Sequence, residues 1–307
     1  MQVITSYFNP MKSQRRLTNY KAFRSRLGAP LLTVELSFDG QFELTSDDAD
    51  QLIQVSGGDI MWQKERLLNI ALDNVSAGVE NVAWIDCDLV FESSDWPLAA
   101  ENALRSDRII QLFSEVRYLN RSSSDKLEFD TAPELVRLSA GSQLAKAAFK
   151  DVCLVKPASA DAPKVPWPAN GFAFAARKSI ICASKFYDHG ILDGNDILFL
   201  CAVYGEFELA MERLKHNEMQ RRHYREWAQR AHESFGGRVG CVPGTVYHLW
   251  HGDLVNRNYM GRHELLASFD PNNDIQHAPQ GPWQWDDPQS ELAKNVRDYF
   301  RSRREDG

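Results

Sequence analysis

Residues 84–91 read Trp-Ile-Asp-Cys-Asp-Leu-Val-Phe and place two acidic side chains, Asp86 and Asp88, directly after an apolar run. The run itself, residues 82–85, is short and rich in β-branched and aromatic residues, which predicts a buried strand. An Asp-x-Asp tripeptide occurs by chance in most proteins of this size and is usually a solvated turn. Because apolar residues flank this one on both sides, we predict that its carboxylates face a crevice.

Alternating strand and helix patterns surround this segment. Residues 2–8 and 31–37 are rich in β-branched and aromatic or aliphatic residues and predict strands, whereas residues 17–27 and 60–77 carry apolar groups three or four apart, as amphipathic helices do. The alternation predicts an α/β fold with a mostly parallel central sheet flanked by helices. Ligands of such sheets bind at the carboxyl ends of the strands, where the two aspartates fall.

The later segments follow the same rules. Residues 120–125 and 156–169 are polar or proline-rich and predict loops. Residues 171–176 predict an apolar strand, and residues 206–234 predict one long, charge-rich amphipathic helix.

The bulk composition is that of a globular protein. With 307 residues, 43% hydrophobic and 25% charged, the chain can bury a sizeable core. We expect a single main domain over residues 1–262 and a tail over residues 263–307 that packs on it.

Cysteine usage and apolar runs indicate the compartment. The five cysteines are scattered and form no C-x-x-C pair, which favours a reducing cytoplasm. Residues 1–10 lack the features of a signal peptide, and the longest apolar run, Ile197 to Tyr204, is shorter than the roughly 20 residues of a membrane span. The formal charge of −7 argues against a sequence-blind nucleic-acid binder.

Asp86 and Asp88 also predict a metal. Two aspartates one residue apart offer hard oxygen ligands, which suit Mg²⁺ or Mn²⁺ bound through a few carboxylates and substrate phosphates. A divalent cation here would bridge the protein to a nucleotide diphosphate.

Four blocks of the sequence follow one another in this order: Val3 to Pro10, Trp62 to Asn69, Asp86 to Asp88, and the later pair Gly190 to Asp196 and His248 to Gly252. In this order they resemble the GT-A-fold glycosyltransferases, particularly the family-2-like and galactosyltransferase-like branches. The resemblance covers roughly residues 2–262 and implies a Rossmann-like domain that moves a hexose from a nucleotide sugar, expected to be UDP-linked, to an acceptor hydroxyl. The acceptor classes left open are a saccharide, a lipid-linked glycan, a protein and a hydroxylated base of modified DNA.

The resemblance implies a donor site built from several strand ends and one helix. The first strand's loop and an acidic residue ending the second strand hold nucleobase and ribose, a polar helix face reaches phosphate or sugar, and the first aspartate contacts ribose or sugar. A late group of two arginines and a tyrosine suggests a lid over the diphosphate. A core aromatic remains the alternative for Tyr7, and a solvated helix face remains the alternative for the residues of the polar helix face. In order, the residues are Ser6 with Tyr7; Glu35; Lys64, Arg66 and Asn69; Asp86; and Arg257, Tyr259 and Arg262.

The same resemblance implies a metal ligand set and a base. Asp88 is the expected direct ligand, joined by His251 or His248, with His251 slightly favoured; an imidazole beside oxygen ligands favours Mn²⁺ over Mg²⁺. Asp196 is the expected general base for an inverting enzyme, and Asp193 is the reserve candidate. A retaining enzyme would not need that base.

Two other functions stay open. A nucleotidyltransferase acting on a sugar phosphate would use similar carboxylates, but residues 9–12 lack the glycine of its phosphate loop. A non-catalytic carbohydrate-binding protein of the same fold is the other alternative.

Overall fold

The opening strand lies near the middle of a seven-stranded sheet. The computed structural model describes residues 1–153, 168–258 and 261–307. Its strands are β1 (Gln2–Phe8), β2 (Leu31–Ser37), β3 (Gln51–Ser56), β4 (Asn81–Ile85), β5 (Leu89–Phe91), β6 (Ile109–Gln111), β7 (Glu115–Tyr118), β8 (Leu135–Leu138), β9 (Ala173–Arg177), β10 (Gly240–Cys241), β11 (Thr245–His248), β12 (Ile275–Gln276) and β13 (Gln284–Trp285).

The main sheet has the order β10-β6-β9-β4-β1-β2-β3. Its pairs are parallel except for β9, which runs antiparallel to both β4 and β6. A second sheet has the order β5-β11-β7-β8, and β12 pairs with β13. The predicted α/β class with a mostly parallel central sheet is therefore confirmed.

Helices cover the main sheet. They are α1 (Gln14–Arg26), α2 (Lys64–Asp73), α3 (Trp96–Ala103), α4 (Arg121–Lys126), α5 (Ala140–Leu144), α6 (Phe149–Cys153), α7 (Lys178–Ser184), α8 (Asn195–Tyr204), α9 (Phe207–Arg213), α10 (Glu218–Phe235) and α11 (Glu291–Ser302). All seven residues of β2 are buried, as expected for a strand covered on both faces of a parallel sheet. Among the helices of the described residues, none combines the length and apolar character needed to cross a bilayer.

Local sequence periodicity predicted several strands and helices in the first half of the chain. Strands β1 and β2 have the predicted bounds, and β4 begins one residue early. Helix α1 begins three residues before the predicted start, and α2 occupies only the middle of the predicted segment 60–77. The predicted loop over residues 156–169 lies almost wholly outside the described residues.

Two predictions for the polar segments were wrong. Residues 121–126 form a short helix because the Asn120 side chain accepts a hydrogen bond from the Ser123 N–H and caps it. The single helix predicted over residues 206–234 is two helices, α9 and α10. Lys215 interrupts them with a φ of +55°, and Asn217 caps α10 by accepting from the Gln220 N–H.

The residues after 262 contact the main sheet's helices at several points. The Gln63 side chain accepts from the Trp283 N–H at 2.9 Å, and Arg66 donates to the Gly281 carbonyl at 2.8 Å. Arg16 on α1 forms an ion pair with Glu305. The division of the chain at residue 262 stays a prediction.

The break before α10 predicts a stability effect. Asn217→Ala should lower the free energy of unfolding by about 2 kcal/mol, because it removes the cap of α10 and the hydrogen bonds that Asn217 donates to the Ala267 and Phe269 carbonyls. Urea unfolding measures the change. Asn102→Ala on the exposed face of α3 is the control and should stay within about 0.5 kcal/mol; equal effects would contradict the assigned role of Asn217.

Candidate active site

A cavity opens at the carboxyl ends of β1 and β4, where parallel strands release their side chains. The Thr5 hydroxyl donates to the Ile85 carbonyl at 2.6 Å, which fixes the two strand ends against each other. The Asp86 N–H donates to the Phe172 carbonyl at 2.8 Å, so the chain entering β9 forms the adjoining wall. The lining residues are Ser6, Tyr7, Phe8, Arg16, Asn19, Trp62, Lys64, Asp86, Cys87, Asp88, His251 and Arg303.

Asp88 lies against two buried imidazoles. His251 Nε2 is 3.0 Å and His248 Nε2 is 3.8 Å from Asp88 Oδ2, and the potential ligand atoms of the three residues lie within 4.8 Å of one another. Strand β11 delivers His248, and the Leu249 N–H donates to the Asp88 carbonyl at 2.9 Å, which holds the two segments together. Residues 160 and more positions apart in sequence thus form one cluster.

The protonation states of the cluster suit metal binding. Burial lowers the pKa of His248 to about 3, and burial together with the Arg257 guanidinium lowers the pKa of His251. Burial opposes ionisation of Asp88, but the facing imidazoles and Arg257 keep the pKa of that carboxyl below its usual value. At neutral pH the cluster therefore offers a carboxylate and two neutral rings.

One oxygen of the cluster lacks a hydrogen-bond partner among the described residues. Asp88 Oδ1 is buried and has no hydrogen-bond partner among the described residues, which is costly for a carboxylate oxygen. A divalent cation would satisfy it, and one carboxylate with two imidazoles is a donor set that accepts Mn²⁺. The residues therefore fit the predicted metal.

Lys64, at the start of α2, bridges two carboxylates beside this cluster. Its Nζ is 2.6 Å from Asp86 Oδ1 and 3.4 Å from Asp196 Oδ1. Burial opposes its charge, but these two carboxylates raise the pKa of Lys64 well above its ordinary value. Burial, with Asp196 and Asp88 nearby, raises the pKa of Asp86 to about 7 despite the ammonium.

Asp196 lies in the first turn of α8 and is 38% exposed. Residue 171 must be small for it to lie there, since a Cβ on Gly171 would come within 2.0 Å of Asp196 Oδ2. The carboxylate thus projects beside the entrance to β9.

Asp193 has a different environment from Asp196. It has a φ of +69°, accepts from the Gly194 N–H at 2.6 Å and lies 3.0 Å from an Arg262 nitrogen. Burial opposes ionisation, but Arg262 and the Gly194 N–H outweigh it and lower the pKa of Asp193 to about 2. Arg262 also donates to the Tyr299 hydroxyl. The pair holds the loop before α8 rather than lining the cavity.

Besides Arg262, which pairs with Asp193 instead of forming a lid, three predicted donor residues hold loops outside the cavity lining. The Glu35 carboxylate accepts from the backbone N–H groups of residues 43 and 44 and from Gln54. Arg66 donates to the Gly281 and Pro279 carbonyls. Asn69 exchanges two hydrogen bonds with the backbone of Phe186. These side chains hold loops in place.

Tyr259 lies outside the described residues, and the remaining predicted residues line the cavity or lie next to it. Ser6, Tyr7, Lys64, Asp86, Asp88 and His251 line it. The Arg257 Nη2 is 2.9 Å from His251 Nε2, which places this guanidinium at the metal cluster.

Sequence reasoning missed two arginines of the lining. Arg16 lies on α1 and donates to the Phe8 carbonyl at 2.8 Å, and Arg303 follows α11. The basic pair at residues 15–16, directly after the first strand's loop, is a signal that could have indicated the first; the second has no local signal.

No protein-family model and no curated protein sequence matches the chain. Among solved structures, glucosyl-3-phosphoglycerate synthase from Mycobacterium tuberculosis, in complex with Mn²⁺, UDP and phosphoglyceric acid, is 14% identical, with 91% of this chain and 82% of that chain covered and a TM-score of 0.37. The catalytic domain of Drosophila beta1,4-galactosyltransferase 7, in complex with xylobiose, is 10% identical, with 96% of each chain covered and a TM-score of 0.38.

A third structure, 4-diphosphocytidyl-2C-methyl-D-erythritol synthase from Anaerococcus prevotii, is 15% identical, with 79% of this chain and 86% of that chain covered and a TM-score of 0.35. The matched structures include glycosyltransferases of the GT-A type, the group that the sequence blocks resemble. Matches at these identities and TM-scores do not assign a function to the chain.

The Asp193–Arg262 pair predicts a pH-dependent stability. The pKa of Asp193 is about 2 in the folded protein and about 3.9 in an unfolded chain, so its ionised form stabilises the fold above about pH 4 and this contribution is lost as the pH falls toward 2. Asp193→Asn should lower the free energy of unfolding by at least about 2 kcal/mol at pH 7, and the difference from wild type should narrow by about half between pH 5 and pH 3.

Urea unfolding at several pH values tests this. Asp47→Asn, at an exposed position, should show no such dependence. A difference from wild type that is constant from pH 7 to pH 3 would contradict the ion pair.

Proposed function

We propose that the protein is a metal-dependent glycosyltransferase that moves a sugar from a UDP-linked donor to an acceptor hydroxyl. One observation carries the proposal. The cluster of Asp88, His248 and His251 and the Lys64 ammonium lie side by side at the carboxyl edge of a mostly parallel sheet. A cation site beside a fixed positive charge suits a substrate that is a diphosphate ester.

The metal would be held by Asp88, His248 and His251, and Mn²⁺ suits this donor set better than Mg²⁺. When bound, it supplies positive charge that stabilises the departing diphosphate. His248 and His251 would hold it in their neutral form, which burial favours in both rings.

The donor would lie across the ends of β1 and β4. Ser6 and the ring of Tyr7 form the wall on one side, and the Tyr7 hydroxyl is occupied because it donates to Glu43 at 2.9 Å. Lys64 stays cationic at neutral pH and faces the same cavity, where it neutralises phosphate or orients the sugar through Asp86. Fixed charges of this kind stabilise developing negative charge without reorganisation.

Asp196 is the best placed general base. The acceptor O–H proton passes to its carboxylate while the acceptor oxygen bonds to the anomeric carbon and the bond from that carbon to the diphosphate breaks. Asp193 is a poorer base because the pKa near 2 and the pairing with Arg262 make its carboxylate a weak proton acceptor. We assign it the positioning of the loop that carries Asp196.

The metal assignment predicts the effect of losing Asp88. Asp88→Ala should weaken Mn²⁺-dependent UDP binding by about 100-fold or more, because it removes the only carboxylate that the cluster offers. Isothermal titration calorimetry with and without Mn²⁺ measures the loss. Asp47→Ala on an exposed turn should bind like wild type.

Two results would overturn the proposal. One is Mn²⁺-dependent UDP uptake that survives in Asp88→Ala. The other is pyrophosphate release from a nucleoside triphosphate and a sugar phosphate, with no UDP released from nucleotide sugars, which would favour the nucleotidyltransferase.

The base assignment predicts a separation of rate from binding. Asp196→Asn should lower kcat by about 10²-fold or more and leave the donor Kd within about threefold, because an amide cannot take the proton. Steady-state UDP release with a working acceptor measures kcat. Asp193→Asn serves as the comparison; a larger loss of kcat there than in Asp196→Asn, at equal folded fraction, would transfer the base role to Asp193.

A further inference from the structure

Arg303 is a buried cation whose hydrogen-bonding capacity is mostly unused. Its side chain is 4% exposed and lines the cavity that also holds Lys64 and Asp88. Its Nη2 is 3.0 Å from Glu305 Oε1, whereas its Nε and Nη1 have no hydrogen-bond partner in the part of the chain that the structure describes. Buried guanidinium N–H groups without acceptors are rare in folded proteins and require an explanation.

The charges around Arg303 leave it undercompensated. Glu305 is the acidic partner of Arg303, and Arg16 forms an ion pair with the same carboxylate, with its Nη2 2.8 Å from Oε1. Two guanidinium groups therefore share one carboxylate. Arg16 and Arg303 together with Glu305 carry a net positive charge, and both arginines line the cavity in which the donor is proposed to lie.

The guanidinium of Arg303 is held in place by aromatic rings. Its central carbon is 5.5 Å from the centroid of Trp62, another lining residue, and 5.8 Å from that of Phe300. Stacking of this kind fixes the plane of the fork, and a fixed fork is suited to two oxygens of one phosphate.

The segment that carries Arg303 is itself fixed beside the metal cluster. Asp306 accepts from the Ser13 hydroxyl at 2.6 Å and from the Arg15 N–H at 2.8 Å at the start of α1. Gly252, with a φ of +90°, follows His251 and allows the backbone of residue 304 to approach, since a Cβ there would lie 2.9 Å from that carbonyl oxygen. Residues 303–306 therefore have a defined position next to His251.

We propose that Arg303 binds the diphosphate of the donor through its free Nε and Nη1 groups, so that residues 303–306 complete the donor site. This inference rests on the proposed function, because it assigns the ligand from the same cavity. The competing role is purely structural: the guanidinium would only pack between Trp62 and Phe300.

The test uses the full chain and compares Arg303→Met with Arg301→Met. The first variant keeps the apolar stem and removes the fork, and the second removes an exposed arginine from the same region of α11. Titration calorimetry measures the binding of inorganic pyrophosphate, UDP and uridine, each in the presence of Mn²⁺. We expect Arg303→Met to weaken the binding of pyrophosphate and UDP at least tenfold and the binding of uridine less than twofold. Arg301→Met should bind all three like wild type.

A second variant covers a failure of Arg303→Met to fold. Arg303→Lys keeps the charge and loses the planar guanidinium, and it should weaken pyrophosphate binding about threefold with little change in Tm. If the binding of uridine and of pyrophosphate weakened equally, in proportion to a lowered Tm, the inference would be overturned and Arg303 would have a packing role only.

The outcomes for the two proposals differ. Tight Mn²⁺-dependent UDP binding that is the same in wild type, Arg303→Met and Arg303→Lys would overturn the role of Arg303 and leave the proposed function standing. Absence of any nucleotide binding by wild type would overturn the proposed function, and pyrophosphate binding that depends on Arg303 would then still support Arg303 as an anion ligand.

Discussion

The Lys64 ammonium between the carboxylates of Asp86 and Asp196 is the contact on which the crevice depends. Three acidic side chains, Asp86, Asp88 and the partly exposed Asp196, meet at one edge of the sheet, and holding these like charges together without compensation would be costly. Lys64 balances two of them, and the imidazole cluster receives the third. The strand ends can therefore carry these carboxylates only because the first turn of α2 places Lys64 between them.

Two glycines leave room for close approaches inside the same crevice. Gly171 leaves room for the Asp196 side chain, and Gly252 leaves room for the backbone of residue 304 beside His251. A side chain at residue 171 would displace the Asp196 carboxylate, and a side chain at residue 252 would clash with the backbone of residues 303–305. Glycine at these two positions thus supports the arrangement of charges.

Much of the fold was readable from local patterns. Strands β1 and β2 follow from β-branched and aliphatic runs, and the position of Asp86 and Asp88 follows from the apolar residues on both sides. The second sheet was not foreseen, because its strands are only three or four residues long and pair across large separations. The break at Lys215 was missed although Asn217 and Gln220 have the spacing of a capping box, which marks the start of a helix.

The site could be predicted only where partners are local or the motifs resemble a known group. Arg66 and Asn69 have the right chemistry for a donor site, but their partners come from residues 186 and 279–281, which no local pattern reveals. The Arg16–Glu305 pair joins residues 289 positions apart, so periodicity holds no trace of it. Long-range ion pairs are what sequence reasoning cannot supply.

The reversed strand β9 has a consequence for how such a site changes over time. Because β9 runs opposite to β4, the chain enters the sheet at the crevice through Gly171 and Phe172, whereas it leaves the sheet there through Asp86. One wall of the crevice is therefore formed by the segment that leads into β9, and the other wall is formed by the segments that follow β1 and β4. Insertions or substitutions in the segment that precedes β9 can therefore reshape the first wall without altering the register of β1 and β4. The two walls of the crevice can thus change independently, in evolution or by protein engineering.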